Sequence, residues 1–330
     1  MPTLAPTPKD TVYGEGTARL YRFRRPNDRP AGSHLPLLIV PSLINRWYIL
    51  DLREGATLAG SLNQSYDTWL YDWGVPEDED RYQSWERVLD KLARAIRRVK
   101  AATGAPKVGL LGYCMGGTLC GIQAALEPDS IAALINLAGP FDFEKGGMLR
   151  TMVDPRWFDP NAIADAGNVQ PHQMQSGFVA LRPTLQLGKW VGYTGIMHDP
   201  AAKEAFTALD TWANDNTPFP GEAYRTYIKE LYQENRLVRG EHWVKGQRVD
   251  LGRIHCPVLS IVAHKDNICP PEAAMGLNHN VGTKDREVLT VKGGHVSAVV
   301  GDTAKETLYP AIGRWLAPRL SYGKQPVALA

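Results

Sequence analysis

The sequence has few cysteines, no long apolar run and almost no net charge, and each of these absences excludes a class of protein. Only 4 of the 330 residues are cysteine, which is too few for a disulfide framework in a chain of this length. No apolar run approaches the ~20 residues that a membrane-spanning helix needs. The N-terminal residues MPTLAPTPKD contain no apolar segment of the kind that a signal peptide carries. We therefore expect a cytoplasmic protein without a membrane span.

The formal net charge is only +2, so nucleic acid is not an expected partner. Hydrophobic residues make up 44% of the chain and charged residues 22%, the balance of a globular protein with a sizeable core. This length suits one large domain, or a core with an insertion. The spacings of His255, Cys256, His264 and Cys269 match no regular zinc pattern. Neither a metal nor a protein-bound cofactor is expected.

Short apolar runs alternate with amphipathic patterns on both sides of a long interruption. The predicted strands are residues 35–41, 68–73, 108–113, 132–137, 258–262 and 287–291. One helix begins after the cap Ser84 and ends at Gly104, and another covers about 115–126. Strands that alternate with helices indicate an α/β fold with a mostly parallel, doubly wound sheet.

The interruption defines the predicted domain organisation. Residues 1–34 are rich in Pro, Arg and Gly and are interpreted as a loose lead-in. Residues 35–143 and 251–330 form one α/β core, because the sheet needs strands from both sides of the interruption. Residues 144–250 mix Trp, Met, Pro and Gly with helical stretches such as 221–237. We predict that they form a mainly helical cap inserted into the core.

A glycine-rich turn follows the strand at 108–113, and its sequence is Gly112-Tyr113-Cys114-Met115-Gly116-Gly117. It matches the G-x-S-x-G nucleophile elbow of the α/β-hydrolase fold, with Cys114 in place of serine. Side chains at positions 112 and 116 would collide with neighbouring backbone, and the helix N-terminus favours a thiolate. The alternative is a small buried thiol whose glycines only permit tight packing. The strand–turn–helix context favours the nucleophile.

An elbow of this kind is followed along the chain by an acid and then a histidine. Asp266 follows the strand at 258–262, and His295 follows the strand at 287–291. Both therefore lie where open α/β sheets place their sites. His264 is the rival histidine, two residues before Asp266. Asp266 has an alternative role as a turn or N-cap residue, which would leave the histidine without an orienting partner.

Two backbone N–H groups are candidates for stabilising an oxyanion. The N–H of Met115 points from the helix start at the place where a tetrahedral oxyanion would form. A second donor is expected from the loop after the first core strand, and Leu43 is the candidate. The alternative for this loop is that Pro41 and Ser42 simply end the strand.

With these pieces placed, the sequence resembles the polyhydroxyalkanoate synthases, most closely the short two-subunit, class III-like type. The resemblance spans roughly 15–320 and is carried by residues 39–52, 71–76, 112–118, 221–237, 266–271, 293–295 and 310–315. It implies polymerisation of 3-hydroxyacyl-coenzyme A into polyester with release of coenzyme A, and it implies Cys114, His295 and Asp266 as the catalytic residues. The family commonly has histidine directly after the acid, where this chain has Asn267. Tyr113 and Met115 are likewise unusual for the two-subunit type.

The resemblance also implies partners and a location. The substrate carries coenzyme A itself, and the partners are 3-hydroxyacyl-coenzyme A, the growing polyester, a second synthase subunit and further copies in a homo-oligomer. The location is the cytoplasm, at the surface of polyester granules. Two alternatives remain open: a cysteine-dependent α/β hydrolase (an intracellular polyester depolymerase, thioesterase or esterase), and a non-catalytic granule-binding homologue.

Two groups of cap residues are weaker candidates for substrate contact. One group is aromatic and is a candidate for a channel lining or for cap core: Trp157, Phe158, Trp190 and Trp212. The other is basic and would meet coenzyme A phosphates or form a solvated helix face: Arg225 and Lys229.

Overall fold

The computed structural model describes residues 2–25, 34–181 and 198–321. Strands of the described chain are, in order, β1 (Lys9–Glu15), β2 (Ala18–Phe23), β3 (Leu37–Val40), β4 (Asp51–Arg53), β5 (Ala56–Thr57), β6 (Thr68–Asp72), β7 (Val108–Tyr113), β8 (Ile131–Leu137), β9 (Trp243–Val244), β10 (Gln247–Arg248), β11 (Val258–Ala263) and β12 (Arg286–Val291).

The α-helices of the same ranges are α1 (Leu58–Asn63), α2 (Trp85–Thr103), α3 (Met115–Leu126), α4 (Gly147–Met152), α5 (Pro160–Ala164), α6 (Pro171–Leu181), α7 (Pro200–Asn214), α8 (Gly221–Thr226), α9 (Pro271–Asn280), α10 (Ser297–Val300) and α11 (Leu308–Leu316). A π-helix, Tyr227–Gln233, continues α8 directly. Short 3-10 helices cover Trp47–Leu50, Asp78–Tyr82, Pro128–Ser130, Phe143–Lys145 and Leu251–Arg253.

The main sheet has the strand order β1-β2-β6-β3-β7-β8-β11-β12. The last six strands of this order, from β6 at one end to β12 at the other, run parallel to one another. At the opposite edge, β2 pairs antiparallel with both β6 and β1. Every residue of β3, β6, β7 and β11 is buried. Strands that are buried along their whole length belong to parallel sheets that are covered on both faces. The predicted α/β class and doubly wound sheet are confirmed.

The first long helix shows how local sequence signals set the element boundaries. The side chain of Ser84 accepts a hydrogen bond from the N–H of Arg87 at 3.2 Å, which caps the start of α2. Gly104 adopts a φ of 68° at its end, a conformation that favours glycine. Between them, one side of α2 is buried against the sheet in a core cluster. The predicted helix is confirmed at both ends.

The expectation of a loose lead-in over residues 1–34 is wrong for the stretch 9–23, which forms β1 and β2. In β2, the side chains of Ala18, Leu20 and Phe23 are buried in the core, and the strand pairs with β6. The apolar residues of this stretch are few and arginines lie between them. The high content of Pro, Arg and Gly over residues 1–34 therefore hid the two strands. Residues 26–33 lie outside the described residues.

The helix predicted over 221–237 is also shorter and of a different kind than expected. It is α-helical only to Thr226 and then continues as the π-helix, which ends at Gln233. The apolar periodicity of a sequence does not distinguish an α-helix from one turn of π-helix.

Residues 144–250 contribute no described strand to the main sheet. Side-chain hydrogen bonds join them to the loop after β3: for example, Asn45 donates through Nδ2 to Asn216 at 2.7 Å, and Trp212 donates through Nε1 to the carbonyl of Arg46 at 2.8 Å. The segment therefore packs over the C-terminal ends of the strands on the β3 side. Its boundaries as a separate cap stay a prediction.

Candidate active site

The turn between β7 and α3 has the strained geometry of a nucleophile elbow. Cys114 adopts φ 56° and ψ −130°, a conformation that L-residues rarely occupy. A Cβ atom on Gly112 would lie 2.3 Å from the carbonyl oxygen of Gly116, and one on Gly116 would lie 2.1 Å from that of Val40. Both distances are below the 3.0 Å that real Cβ atoms keep. The glycines are thus required for the turn that lifts the sulfur of Cys114 above the strand ends.

Asp266 and His295 meet at the same edge of the sheet, directly after β11 and β12. Nδ1 of His295 is 2.7 Å from Oδ2 of Asp266, and the Asp266 side chain is fully buried. The other carboxylate oxygen accepts the N–H groups of Ile268 and Cys269, each at 2.9 Å. One oxygen of Asp266 therefore holds its own turn while the other contacts the histidine, and the role of Asp266 in catalysis stays a prediction. The rival His264 is exposed to solvent.

Tyr113, the residue before Cys114, contacts both the ring and the backbone of His295. Its ring stacks on the imidazole at 5.3 Å between centroids, and its hydroxyl donates to the carbonyl of His295 at 3.2 Å. The tyrosine is buried in the core cluster on this face of the sheet. The sequence pattern gave no sign of this contact, although Tyr113 was noted as unusual for its position.

His295 and Cys114 interact electrostatically. Nε2 of the ring is buried and has no hydrogen-bond partner among the described residues. Burial by itself lowers the pKa of His295, but the charge of Cys114 and the hydrogen bond with Asp266 raise it to about 10. This arrangement favours the protonated form of the imidazole. The roles of His295 and Cys114 in catalysis stay predictions.

The two candidate oxyanion donors lie in adjoining segments. Met115 is the first residue of α3, and the crowding of Gly116 against the carbonyls of Val40 and Pro41 shows that the loop after β3 touches the helix start. Leu43 lies in this loop, and its carbonyl accepts a hydrogen bond from the Thr217 hydroxyl at 3.1 Å. The assignment of both N–H groups stays a prediction.

Comparisons with known proteins identify the family. A family model described as "alpha/beta hydrolase fold" matches residues 36–302. The chain is 34% identical over 317 residues to the poly(3-hydroxyalkanoate) polymerase subunit PhaC of Allochromatium vinosum, with 95% of this chain and 89% of that one covered. It is also 34% identical over 324 residues to the subunit of the same name from a Synechocystis strain, with 95% and 85% covered.

The chain belongs to the poly(3-hydroxyalkanoate) polymerase family. This confirms the predicted resemblance, the α/β-hydrolase fold and the class of acyltransferase. Solved structures agree on the fold: Est1E from Butyrivibrio proteoclasticus superimposes with a TM-score of 0.56 at 16% identity, covering 94% of this chain and 98% of its own.

This polymerase-family chain has an apolar cavity of about 230 Å³ beside the elbow, between the core and residues 144–250. Its lining includes Met115 from α3, Phe158, Met174 from α6 and three tyrosines of the segment 224–232. Of the other aromatic candidates, Trp157 is 58% exposed and Trp212 is buried. Trp190 lies outside the described residues. A cavity of this composition suits an aliphatic acyl group.

The basic candidates of this polymerase-family chain have other surroundings. Arg225 forms ion pairs with Asp165 at 2.7 Å and Glu222 at 3.1 Å, so its charge is already balanced within the cap. Lys229 is exposed. The described residues contain no group of three or more His, Cys, Asp or Glu side chains that could hold a metal ion. Within those same ranges, no helix has the length and apolarity to cross a membrane.

Proposed function

We propose that this chain polymerises 3-hydroxyacyl-coenzyme A into polyester through a covalent acyl-Cys114 intermediate. The observation that carries the proposal is the buried contact of 2.7 Å between His295 and Asp266 beside a strained cysteine, in a chain of the polymerase family. His295 acts as the base, Asp266 orients it, and the N–H groups of Met115 and Leu43 stabilise the oxyanion.

In the first step, the Cys114 thiolate attacks the thioester carbonyl of the substrate. His295 holds the proton that the thiol gave up, and the new S–C bond forms as the carbonyl oxygen becomes an oxyanion. The bond from carbon to the coenzyme A sulfur then breaks, and His295 returns the proton to the leaving thiolate. One thioester replaces another, so the exchange needs little driving force.

In the second step, the 3-hydroxyl of a hydroxyacyl unit attacks a bound acyl carbonyl and lengthens the chain. His295 accepts the proton of that hydroxyl as the new ester bond forms. The bond between the acyl carbon and its sulfur breaks, and the thiolate that leaves takes the proton from His295. Water is the competing nucleophile, and the apolar cavity beside Met115 excludes it.

The experiment compares Cys114→Ala with wild type and with Cys256→Ala as the matched control, because Cys256 is a free cysteine that we place outside the site. With 3-hydroxybutyryl-coenzyme A, we expect thiol release to fall by on the order of 10⁴-fold or more in Cys114→Ala, as in other enzymes that lose a triad member. Cys256→Ala keeps the wild-type rate. Equal release by Cys114→Ala and wild type contradicts the proposal.

The products of the same assay separate the polymerase from a hydrolase with the same catalytic residues. Insoluble polyester supports polymerisation, and free hydroxy acid supports a depolymerase, thioesterase or esterase. A wild-type chain that neither releases thiol nor acquires the mass of an acyl group on Cys114 supports a non-catalytic homologue. The second subunit, the homo-oligomer, and the cytoplasmic location at a polyester granule stay predictions.

A further inference from the structure

The π-helix Tyr227–Gln233 presents two tyrosines to one side. In an α-helix, residues five positions apart point about 140° away from each other, given 3.6 residues per turn. A π-helix forms its hydrogen bonds five residues apart and brings such residues over one another. The N–H of Glu234 accordingly donates to the carbonyl of Lys229 at 3.0 Å. Tyr227 and Tyr232 therefore lie together, with ring centroids 5.5 Å apart.

This pair forms part of the wall of the cavity next to the elbow, on the side of residues 144–250. Both tyrosines line the cavity beside Met115, and the ring of Phe143 packs edge-on against both, at 5.7 Å and 4.8 Å. Burial is the largest cause that raises the pKa of both phenols. The phenols thus stay protonated.

The end of the π-helix is tied to the core, which fixes the position of the pair. Asn235 adopts a φ of 50° and donates through Nδ2 to Oδ1 of Asp142 at 2.8 Å. Its Oδ1 accepts the N–H of Phe143 at 2.8 Å. Asp142 and Phe143 lie in the loop after β8, next to the elbow strand in the sheet.

The chemistry of the pair specifies the atom that it would meet. Each phenol carries one O–H that can donate a hydrogen bond to an oxygen of a ligand in the cavity. The wall around them is mostly apolar, and its one amide side chain, Gln173, already accepts the N–H of Gln170 at 2.7 Å. A buried hydroxyl without a partner is costly, so an oxygen of the ligand is the natural acceptor.

We propose that the Tyr227–Tyr232 pair binds the oxygen on carbon 3 of the acyl group carried by Cys114. The inference rests on the proposed function. A hydroxyacyl group has two oxygens near the sulfur, and the carbonyl oxygen is assigned to the N–H groups of Met115 and Leu43. The oxygen on carbon 3 is the other, and it is present both in a free 3-hydroxyl and in an ester link. The pair would therefore select 3-oxygenated acyl groups over plain fatty acyl groups.

The test measures single-turnover acylation of Cys114 with two substrates that differ only in this oxygen, 3-hydroxybutyryl- and butyryl-coenzyme A. Wild type should acylate faster with the hydroxylated substrate. We expect Tyr227→Phe and Tyr232→Phe each to slow the hydroxylated substrate about 5- to 10-fold, the effect of one lost hydrogen bond, and butyryl-coenzyme A less than about 2-fold. Tyr66→Phe is the matched control, because its buried hydroxyl donates to the carbonyl of Gly313 away from the site.

Three results separate this inference from its alternatives. Equal slowing of both substrates assigns the tyrosines a structural role and overturns the inference. A wild-type chain that shows no preference between the two substrates also overturns it, and this measurement needs no variant to fold. Thiol release by Cys114→Ala at the wild-type rate instead contradicts the proposed function itself, whatever the tyrosine variants show.

Discussion

The described residues contain two buried histidines that contact a carboxylate, and only one of them lies beside the elbow. Nδ1 of His295 is 2.7 Å from Asp266, and Nδ1 of His242 is 2.8 Å from Glu230. In both pairs Nε2 is buried without a standard hydrogen bond to a described residue. By distance and burial of the ring, the two histidines are nearly equivalent.

The two pairs differ in what surrounds them. His295 follows a parallel strand beside Cys114, and its carboxylate is fully buried and held by two backbone N–H groups. Glu230 is part of the π-helix, is 26% exposed, and also lies 3.6 Å from Arg236. Under the proposed function, contact with a carboxylate is not enough to make a histidine catalytic, and its position relative to the elbow and a strand end decides its role.

The largest expected effect comes from making the same substitution in both pairs. His295→Gln removes the base and should reduce thiol release from 3-hydroxybutyryl-coenzyme A by on the order of 10³- to 10⁴-fold. His242→Gln should keep the rate within about 3-fold, yet lose about 1–3 kcal/mol in the free energy of unfolding, because a buried partner of Glu230 is lost. Steady-state kinetics and urea denaturation measure the two quantities.

The comparison breaks if His242→Gln loses activity as severely as His295→Gln while its unfolding curve matches wild type. The pair with Glu230 would then belong to the reaction.

A smaller effect is expected when the carboxylates are neutralised. Asp266→Asn leaves the shape of the site but disfavours the tautomer and the imidazolium, so we expect a loss of about 10²- to 10⁴-fold in thiol release. Glu230→Gln is the matched change in the other pair and should keep activity within about 3-fold. A loss below about 5-fold in Asp266→Asn would show that the acid does not orient the base.

The smallest expected effect is a shift in titration. Removing the sulfur in Cys114→Ala takes away the electrostatic interaction that raises the pKa of His295, so this pKa falls from about 10. NMR titration of labelled histidine rings measures it, and Cys256→Ala should leave the value unchanged. An unchanged pKa in Cys114→Ala would show that the thiol does not act on this ring.

The same raised pKa has a defined consequence for stability. A pKa above the unfolded value of about 6.5 stabilises the folded chain fully below that pH. This contribution declines as the pH rises from there and is lost as it passes about 10. Because Cys114→Ala narrows the gap between the two values, the His295 contribution should decline over a narrower pH range in that variant.

Much of the α/β core could be predicted from the sequence, because the signals that mark its helices and turns are local. Ser84 and Gly104 bound α2, and the crowding at Gly112 and Gly116 leaves few alternatives for the elbow. The shared location of Asp266 and His295 could be predicted because each comes directly after a strand, and parallel strands end at the same edge of the sheet.

The parts that sequence reasoning missed depend on tertiary contacts. The strands β1 and β2 are stabilised by pairing at the sheet edge, and their short apolar pattern does not reveal a neighbour 45 residues away, such as Asp67 for Arg22. The contact of Tyr113 with His295 joins residues 182 positions apart. The π-helix has no pattern of its own in sequence, so the pairing of Tyr227 with Tyr232 emerges only from the structure.

The hydrogen bond from the Thr217 hydroxyl to the carbonyl of Leu43 joins residues 144–250 to the loop after β3. If the N–H of Leu43 completes the oxyanion site, a displacement of residues 144–250 also displaces the loop that carries this donor. An opened site then admits water at the moment when it is least able to stabilise attack by water. Under the proposed function, the Thr217 hydroxyl would therefore link the position of residues 144–250 to the balance between polymer growth and hydrolysis.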